Sequence, residues 1–323
     1  MTITSLRGAE PPVLDDQIRA AEAATYRYYG VTATEERALI STTVGSTGVR
    51  LTRIAARTPS SQPPIILLHG IGSVTILAAS LLPYLADRDV VAVDTPGHGL
   101  SDQLILPKGV DLRAFAVSLV EGVRAHLGHD QVDVIGHSLG GQFGLYAALD
   151  LPHRVRRLVL LGAPGAALAG AKPAAGMKLM ALPGVGKLVL AIKMSDAKFV
   201  EINEQYAVGP GAFATTPPDL ITAGRLIAGR PGNAASIASY FRTLLRRGAI
   251  RPEVVLSAAE LGRLEQPVLF AWGDDDLFLM PDVAARSIVA VRDAHLVRAR
   301  GTGHAPWLQQ PELYGAAVAA HLR

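Results

Sequence analysis

Short apolar runs recur between residues 63 and 301 of the chain, and each ends in a turn rich in glycine or aspartate. The runs occupy residues 63–70, 89–99, 131–138, 156–165, 266–276 and 293–301. Helical periodicity separates them, most clearly at 112–127, where Leu112, Phe115 and Leu119 fall on one apolar face. Alternating apolar strands and amphipathic helices predict an α/β fold with a mostly parallel central sheet flanked by helices.

Two elements are predicted before this alternation begins. Residues 15–29 show helical spacing of apolar side chains, and Asp15 or Asp16 can cap such a helix. Residues 38–57 carry β-branched side chains around two glycines, as expected for an antiparallel hairpin. We therefore expect residues 1–38 to form an N-terminal helical arm ahead of the main domain.

Residues 166–251 interrupt the alternation. This segment is rich in alanine, glycine and proline, is helix-like and shows no clear strand. We predict a helical cap here, inserted after the sixth strand into a core formed by 39–165 and 252–323. Met177 and Met180 lie in the first third of the segment, and they either pack the cap against the core or form a flexible apolar roof over a ligand.

Composition narrows the classes of function. Of 323 residues, 49% are apolar and 18% are charged, which excludes a disordered or collagen-like chain. The 31 basic and 28 acidic residues give a net charge of only +3, so nucleic acid is not an expected partner. The absence of cysteine excludes disulfides, thiolate zinc sites and cysteine nucleophiles.

Targeting and membrane-spanning segments are not expected either. The start of the chain lacks the apolar stretch of a signal peptide. Residues 65–86 carry no formal charge, but Gly72 and Pro83 divide them into a short strand, a turn and a helix. We therefore predict a cytoplasmic protein without a membrane span.

A candidate nucleophile stands in the sequence GHSLG at 136–140, which matches the pattern G-x-S-x-G between a predicted strand and a predicted helix. A serine in such a sharp turn projects its hydroxyl only if the residues two before and two after it carry no side chain. Because a serine hydroxyl is a poor nucleophile at neutral pH, this chemistry needs a neutral imidazole as base and a carboxylate that orients it.

Four further motifs follow one another along the chain. They are HGIG at 69–72, DTPGHGLSD at 94–102, GDDD at 273–276 and GHAP at 303–306. Together with the serine motif they resemble the α/β-hydrolase superfamily from about residue 40 onward, and the order Ser, Asp, His is the order of that superfamily. The resemblance implies a serine hydrolase of the esterase type with a helical cap.

The resemblance gives each catalytic role to a residue of this chain. Ser138 is the expected nucleophile and His304 the expected base. Three other histidines belong to turn motifs in which the family's histidine is structural: His69, His98 and His137. Asp276 is the expected acid because family members commonly have the pattern W-G-x-x-D, and Asp275 stays open because Pro281 follows one residue later than that pattern places it.

The same resemblance locates the oxyanion hole and the contacts with substrate. The backbone amides of Ile71 and Leu139 are the expected oxyanion donors. Substrate contacts are expected from four residues: Gly70, His137, Met177 and Met180. The sequence contains no P-loop, no dinucleotide fingerprint and no HExxH motif, so neither a cofactor nor a metal is expected.

These features predict a serine hydrolase that cleaves an ester or lactone of a small-to-medium apolar substrate through an acyl-enzyme. The same triad could serve other chemistry: C–C bond or thioester hydrolysis, acyl transfer, or natural-product tailoring or cyclisation. A non-catalytic protein that uses the cavity only for binding is a third alternative. The sequence does not name the substrate and leaves a homodimer open.

Overall fold

A central sheet of eight strands organises the computed structural model, which describes residues 12–323. The strands are β1 (Thr34–Thr42), β2 (Gly45–Ile54), β3 (Ile65–Leu68), β4 (Val90–Val93), β5 (Val132–His137), β6 (Val155–Leu161), β7 (Leu245–Arg246), β8 (Ala249–Ile250), β9 (Val268–Gly273) and β10 (Ala294–Ala299). Of these, β7 and β8 form a separate two-stranded pair. The order across the main sheet is β1-β2-β4-β3-β5-β6-β9-β10. β2 pairs antiparallel with β1 and β4, and the other neighbours are parallel. The predicted α/β fold with a mostly parallel sheet is confirmed.

Helices cover the sheet and form the segment between β6 and β9. Within residues 12–323 the α-helices are α1 (Pro12–Tyr28), α2 (Leu112–Leu127), α3 (Leu139–Asp150), α4 (Ala175–Met180), α5 (Val185–Leu190), α6 (Asp196–Asn203), α7 (Pro218–Ala228), α8 (Asn233–Leu244), α9 (Ala258–Leu261), α10 (Pro281–Ile288) and α11 (Pro311–His321). Other helical segments are the 3₁₀ helices Thr75–Leu85, Pro252–Val254 and Pro306–Leu308 and the π-helix Glu204–Val208. No helix in the described range is long and apolar enough to cross a membrane.

The central strands are buried on both faces. In β3, Ile65 and Leu67 belong to one apolar cluster, whereas Ile66 and Leu68 belong to another. Successive side chains of a strand point to opposite faces, so the two clusters lie on opposite sides of the sheet. Burial on both faces explains why these strands are unbroken apolar runs in the sequence.

The N-terminal boundaries differ from the sequence-based expectation. α1 begins at Pro12, so Asp15 lies in the first turn of the helix and does not precede it. Proline suits the first helical position because its missing N–H has no partner there in any helix. β1 begins at Thr34, ahead of the expected boundary at residue 38. Residues 1–11 of the expected arm lie outside the described residues.

A short strand pair occurs where the sequence showed no clear strand. β7 and β8 pair Leu245 with Ile250, and the two turn residues, Arg247 and Gly248, have φ of 52° and 76°. Positive φ at both central residues is the signature of the type I′ turn that closes tight hairpins. Strands of two residues are too short to produce an alternating pattern, so hydrophobic periodicity could not reveal them.

α1 connects the core to the helical segment. Its Glu22 carboxylate and the Asp94 carboxylate after β4 both accept hydrogen bonds from the buried guanidinium of Arg50, at 2.9 and 3.2 Å. On the same helix, Asp15 accepts a hydrogen bond from Arg230 Nε at 3.2 Å. Because Arg230 follows α7, and α1 packs along α7, this helix holds one side of the segment against the sheet.

Candidate active site

Ser138 occupies the turn between β5 and α3, because β5 ends at His137 and α3 begins at Leu139. Its φ of 51° and ψ of −116° lie in a region that residues with a side chain rarely adopt. Arg247 is the one other non-glycine residue with positive φ among residues 12–323. The turn places Ser138 at the carboxyl edge of the parallel strands, where open α/β sheets bind ligands.

Glycines make this turn sterically feasible. A Cβ on Gly136 would lie 2.4 Å from the carbonyl oxygen of Gly140, and a Cβ on Gly140 would lie 2.4 Å from the carbonyl oxygen of Leu68. Both distances are far below van der Waals contact, and the obstructing atoms belong to the backbone, so no side-chain rotation relieves them. α3 can therefore approach β3 and β5 this closely only with glycine at both positions.

Asp276 follows β9, His304 lies in the loop after β10, and their side chains are in contact. Asp276 Oδ2 accepts a hydrogen bond from His304 Nδ1 at 2.8 Å, and both side chains are buried. The amides of Ala163 and Phe278 also donate to this carboxylate, each at 2.9 Å. Burial alone would raise the pKa of Asp276, but the attraction of His304 and these hydrogen bonds outweigh burial, and the pKa lies below its ordinary value. An ionised Asp276 keeps the proton on His304 Nδ1 and leaves Nε2 as the basic nitrogen.

The two aspartates before Asp276 are placed differently. Asp274 forms an ion pair with Arg298, and Asp275 is exposed. Among the described residues, Asp276 is therefore the carboxylate that is hydrogen-bonded to His304. The position of Pro281 does not alter this arrangement, because that proline begins α10, downstream of the turn that contains Asp276.

Glycines at the strand ends let the loop of His304 approach the sheet. A Cβ on Gly162 would lie 2.4 Å from the His304 carbonyl oxygen, and a Cβ on Gly273 would lie 2.1 Å from the Gly303 carbonyl oxygen. From the other side, the amide of Ala305 donates to the carbonyl oxygen of Val208 at 3.2 Å. The loop is thus held between the sheet and the π-helix of the helical segment, and π-helices occur often at functional sites.

Ser138 and His304 line the same cavity, but they do not form a hydrogen bond with each other. His304 Nε2 is buried and has no hydrogen-bond partner among residues 12–323. The ring of His137 lies 4.8 Å from the ring of His304. Hydrogen bonds between catalytic groups are often long in the free enzyme and shorten when substrate binds. The site therefore contains an unpartnered basic nitrogen beside the serine turn.

The loop that contains Ile71 is held by the turn at 94–102. His98 Nε2 accepts a hydrogen bond from the amide of Gly72 at 3.1 Å, and His69 Nε2 accepts one from the amide of Thr95 at 3.1 Å. An imidazole that accepts through Nε2 carries its proton on Nδ1. Burial lowers the pKa of His69 and lowers that of His98 well below its ordinary value, so both rings are neutral and able to accept.

The amides of Ile71 and Leu139 are available to a ligand. Within the described part of the chain neither donates a hydrogen bond to a protein group. The Leu139 amide lies at the N-terminus of α3, where unpaired N–H groups and the helix dipole favour negative charge. Gly70 brings the two loops together, because a Cβ there would lie 3.0 Å from Ser138 Cβ and 3.0 Å from His137 Nδ1. The loop that contains Ile71 therefore packs against the serine turn, which Leu139 follows.

A cavity of about 750 Å³ lies beside Ser138, between the core and the helical segment. Its wall includes all four residues from which the sequence predicts substrate contacts: Gly70, His137, Met177 and Met180. Val189, Ile237 and Phe241 add further apolar surface. Cavities of this volume and lining bind small organic molecules. Burial, with the neighbouring His304, also lowers the pKa of His137 well below its ordinary value, so this ring adds no positive charge to the cavity.

Two aromatic residues lie beside the histidines of the site, and the sequence motifs did not predict either of them. The ring centroids of Phe278 and His304 are 4.4 Å apart, and the two rings are arranged edge-on. The indole of Trp307 lies 4.9 Å from His137 and donates to the Leu77 carbonyl oxygen at 2.9 Å. Both aromatic residues closely follow a recognised motif, so their proximity along the chain was an available signal. Nothing in that spacing indicated which ring would face which histidine.

The arrangement suits covalent acyl transfer. A hydroxyl on a strained turn, an imidazole oriented by a carboxylate and two free amides are the groups that this chemistry requires. Residues 12–323 contain no group of three or more His, Asp or Glu side chains placed to hold a metal ion.

Several known proteins are similar to this chain in sequence or in fold. A family profile of the alpha/beta hydrolase fold matches residues 63–184. The chain is 27% identical over 264 residues to a pimeloyl-[acyl-carrier protein] methyl ester esterase of Neisseria meningitidis, over 80% of this chain and 92% of that protein. It is 39% identical over 107 residues to a 2-hydroxy-6-oxo-2,4-heptadienoate hydrolase of Pseudomonas putida, over 32% of this chain and 38% of that protein. The crystal structure of a carboxylesterase from Bacillus subtilis shares the fold, with a TM-score of 0.67 and 20% identity over 96% of this chain and 98% of that one.

Proposed function

The chain belongs to the α/β-hydrolase superfamily, and from this premise we propose that it is a serine hydrolase that cleaves an ester or lactone of a small-to-medium apolar substrate through an acyl-enzyme. The observation that carries the proposal is the buried hydrogen bond between Asp276 and His304 at a cavity that Ser138 also lines. This arrangement supplies base, orienting acid and nucleophile at one place.

In acylation, Ser138 Oγ attacks the carbonyl carbon of the ester while His304 Nε2 takes the hydroxyl proton. The carbonyl oxygen becomes an oxyanion, which accepts hydrogen bonds from the amides of Ile71 and Leu139. Asp276 stabilises the imidazolium that forms. His304 then gives the proton to the departing alkoxide, which leaves as an alcohol, and the acyl group stays on Ser138.

Deacylation repeats these steps with water as the nucleophile. His304 Nε2 takes a proton from water as the water oxygen attacks the acyl carbon. The same two amides hold the second oxyanion, Ser138 Oγ leaves, and His304 returns the proton to it. One water is consumed, and a carboxylic acid is released.

The lining of the cavity supports an apolar substrate. Met177 and Met180 contribute flexible, polarisable side chains that fit ligands of varied shape. Because residues 166–251 form one wall of the cavity, we assign them the role of a cap, with 39–165 and 252–323 as the core. Substrate selection then depends on the cap residues that face Ser138.

Hydrolysis of a carbon–carbon bond is a second candidate. The likeness to the Pseudomonas putida hydrolase supports it, since that protein is named for a dienoate substrate. A dienoate carries a carboxylate, and Lys193 on the cavity wall supplies a cation to pair with it. The triad would be the same, so the choice between the two reactions rests on the substrate.

Replacing Ser138 tests the proposal. Ser138→Ala should lower kcat for p-nitrophenyl esters by about 10⁴-fold or more, because the nucleophile is lost. A fluorophosphonate probe should label the wild-type chain and not this variant. Ser61→Ala, at an exposed position, is the matched control and should retain full turnover and labelling. Unchanged turnover by Ser138→Ala would remove Ser138 from the mechanism. Turnover of vinylogous diketones without turnover of esters would favour the second candidate.

A further inference from the structure

α4 and α5 expose a set of large apolar side chains to solvent. We call this set the apolar patch, and it consists of Leu179, Leu182, Val185, Leu188 and Ile192. Leu188 is 66% exposed and Ile192 is 62% exposed. Of residues 172–195, Gly186 is the only one that is buried. Single exposed apolar residues are common, but a group of five within fourteen positions of the chain marks a surface that binds something.

The charged side chains of the segment that carries the apolar patch are all positive. Four exposed lysines lie in and beside α4 and α5: Lys172, Lys178, Lys187 and Lys193. The sequence contains no aspartate or glutamate from residue 151 to residue 195. Lys198, just beyond the patch, forms an ion pair with Glu201 at 2.6 Å, whereas the four lysines form no ion pair with any described residue. The surface is therefore both apolar and cationic.

The inner side of the same two helices belongs to the cavity wall. Met177 and Met180 of α4 and Val189 and Leu190 of α5 line the cavity that contains Ser138. Ile192 is at once exposed and part of this wall. A molecule that meets the apolar patch is thus separated from the cavity by the thickness of one short helix.

We propose that α4 and α5 dock on an anionic lipid surface, with the apolar patch among the acyl chains and the lysines at the head groups. Helices of this kind lie in the plane of the interface, with their apolar face buried about 5–10 Å below the head groups. Each lysine near an anionic membrane contributes about 1 kcal/mol, which is about a fivefold gain in partitioning. An apolar substrate would then enter the cavity from the lipid phase without crossing water. The docking itself requires no catalytic activity, so it is tested independently of the proposed function.

Charge favours lipid over a second copy of this chain. A two-fold interface brings the same patch of each copy face to face, so the four lysines of one copy would lie close to those of the other. A protein partner is the weaker fit as well. The cavity next to α5 is lined by Pro183, Gly184 and Lys187 but by none of the five residues of the apolar patch, so an anchoring side chain seated there would not cover the patch. A fluid anionic surface complements both features.

Vesicle flotation with the full chain tests the proposal. The chain should float with vesicles of phosphatidylcholine and phosphatidylglycerol in equal amounts, should bind vesicles of phosphatidylcholine alone much less, and should be partly released by added salt. Failure to bind either kind of vesicle would overturn the proposal. So would binding to an acidic protein in place of vesicles, or a dimer in solution that Leu188→Asp converts to a monomer.

Matched variants assign the binding to these helices. Leu188→Asp should reduce flotation at least about tenfold, and Lys178→Gln should reduce it about fivefold. Leu39→Asp on β1, where the side chain is 74% exposed, and Arg292→Gln at an exposed turn position between α10 and β10 should leave it unchanged. Because both tested positions are exposed, the thermal unfolding midpoint should stay the same in all four variants. Equal flotation of Leu188→Asp and wild type would overturn the proposal.

Discussion

His98 Nε2 accepts a hydrogen bond from the amide of Gly72 at 3.1 Å, so the turn after β4 determines the shape of the loop that contains Ile71. Gly72 has a φ of 66°, a left-handed conformation that favours glycine at this position of the loop. This contact couples two sequence motifs that are separate in the chain. The neighbouring Ile71 amide, the proposed oxyanion donor, has no acceptor among the described residues.

Removal of the His98 ring should lower kcat and leave KM nearly unchanged. In His98→Ala the Gly72 amide loses its acceptor, the loop relaxes and the Ile71 amide moves away from the developing oxyanion. We expect kcat for a p-nitrophenyl ester to fall about tenfold, the effect of a loss of about 1.4 kcal/mol. His129→Ala, at an exposed position, should match wild type. A rise in KM at unchanged kcat would show that His98 supports binding and not the oxyanion loop.

Two neighbouring aspartates provide a direct comparison of acid candidates. Asp276→Asn should reduce kcat by about 10⁴-fold, because an amide cannot hold His304 in the required tautomer or stabilise the imidazolium. Asp275→Asn should have no effect, since that side chain is exposed and does not contact His304. Steady-state kinetics on one ester decides between them. The reverse outcome would assign the role to Asp275.

The Asp276–His304 contact should also affect stability at low pH. Because the pKa of Asp276 is lower in the folded chain than in the unfolded chain, its ionised form stabilises the fold above the ordinary aspartate pKa. That stabilisation is lost as the pH falls through the folded-state pKa. In His304→Ala, burial remains and the attraction is lost, so the pKa of Asp276 rises and acid unfolding should begin at a higher pH than in wild type.

Circular dichroism during an acid titration measures this shift. His129→Ala serves as the control, because it removes an exposed histidine and leaves Asp276 untouched. Coincident acid-unfolding curves for wild type and His304→Ala would show that the imidazole does not lower the pKa of Asp276.

The buried guanidinium of Arg50 should be essential for folding stability. Arg50→Met leaves the buried carboxylates of Glu22 and Asp94 without their cation, and removal of one partner from such a network costs about 3–5 kcal/mol. Arg53→Met, on the same strand, removes a half-buried surface pair with Glu36 and should cost about 1 kcal/mol or less. Urea unfolding of the two variants measures the difference. Equal losses would contradict this view of the network.

The sheet was predictable because its strands carry a strong and simple signal. Runs such as 63–70 and 266–276 are apolar on both faces and end in glycine or aspartate, and both contain a buried parallel strand. The helix at 112–127 matches α2 at both ends, since Asp111 caps it and Gly128 ends it in the left-handed conformation.

The helical segment was harder to predict in detail. Its alanine- and glycine-rich sequence has weak periodicity, so α4 and α5 could not be bounded in advance. Which side chains of the site contact one another depends on the tertiary structure. The resemblance paired Asp276 with His304, and the structure brings them together. The placement of Phe278 against His304 follows only from the fold. Sequence spacing does not carry such information.

The packing of α1 along α7 has a consequence for limited proteolysis. α7 is fastened to the rest of the molecule through α1, whereas the lysines of α4 and α5 are exposed. Trypsin would therefore cut after Lys178 or Lys187 sooner than within α7. The two fragments would remain associated, because the first supplies β1 to β6 and the second supplies β9 and β10 to one continuous sheet. A nicked chain would migrate as two bands in denaturing gels and elute as a single species in native chromatography.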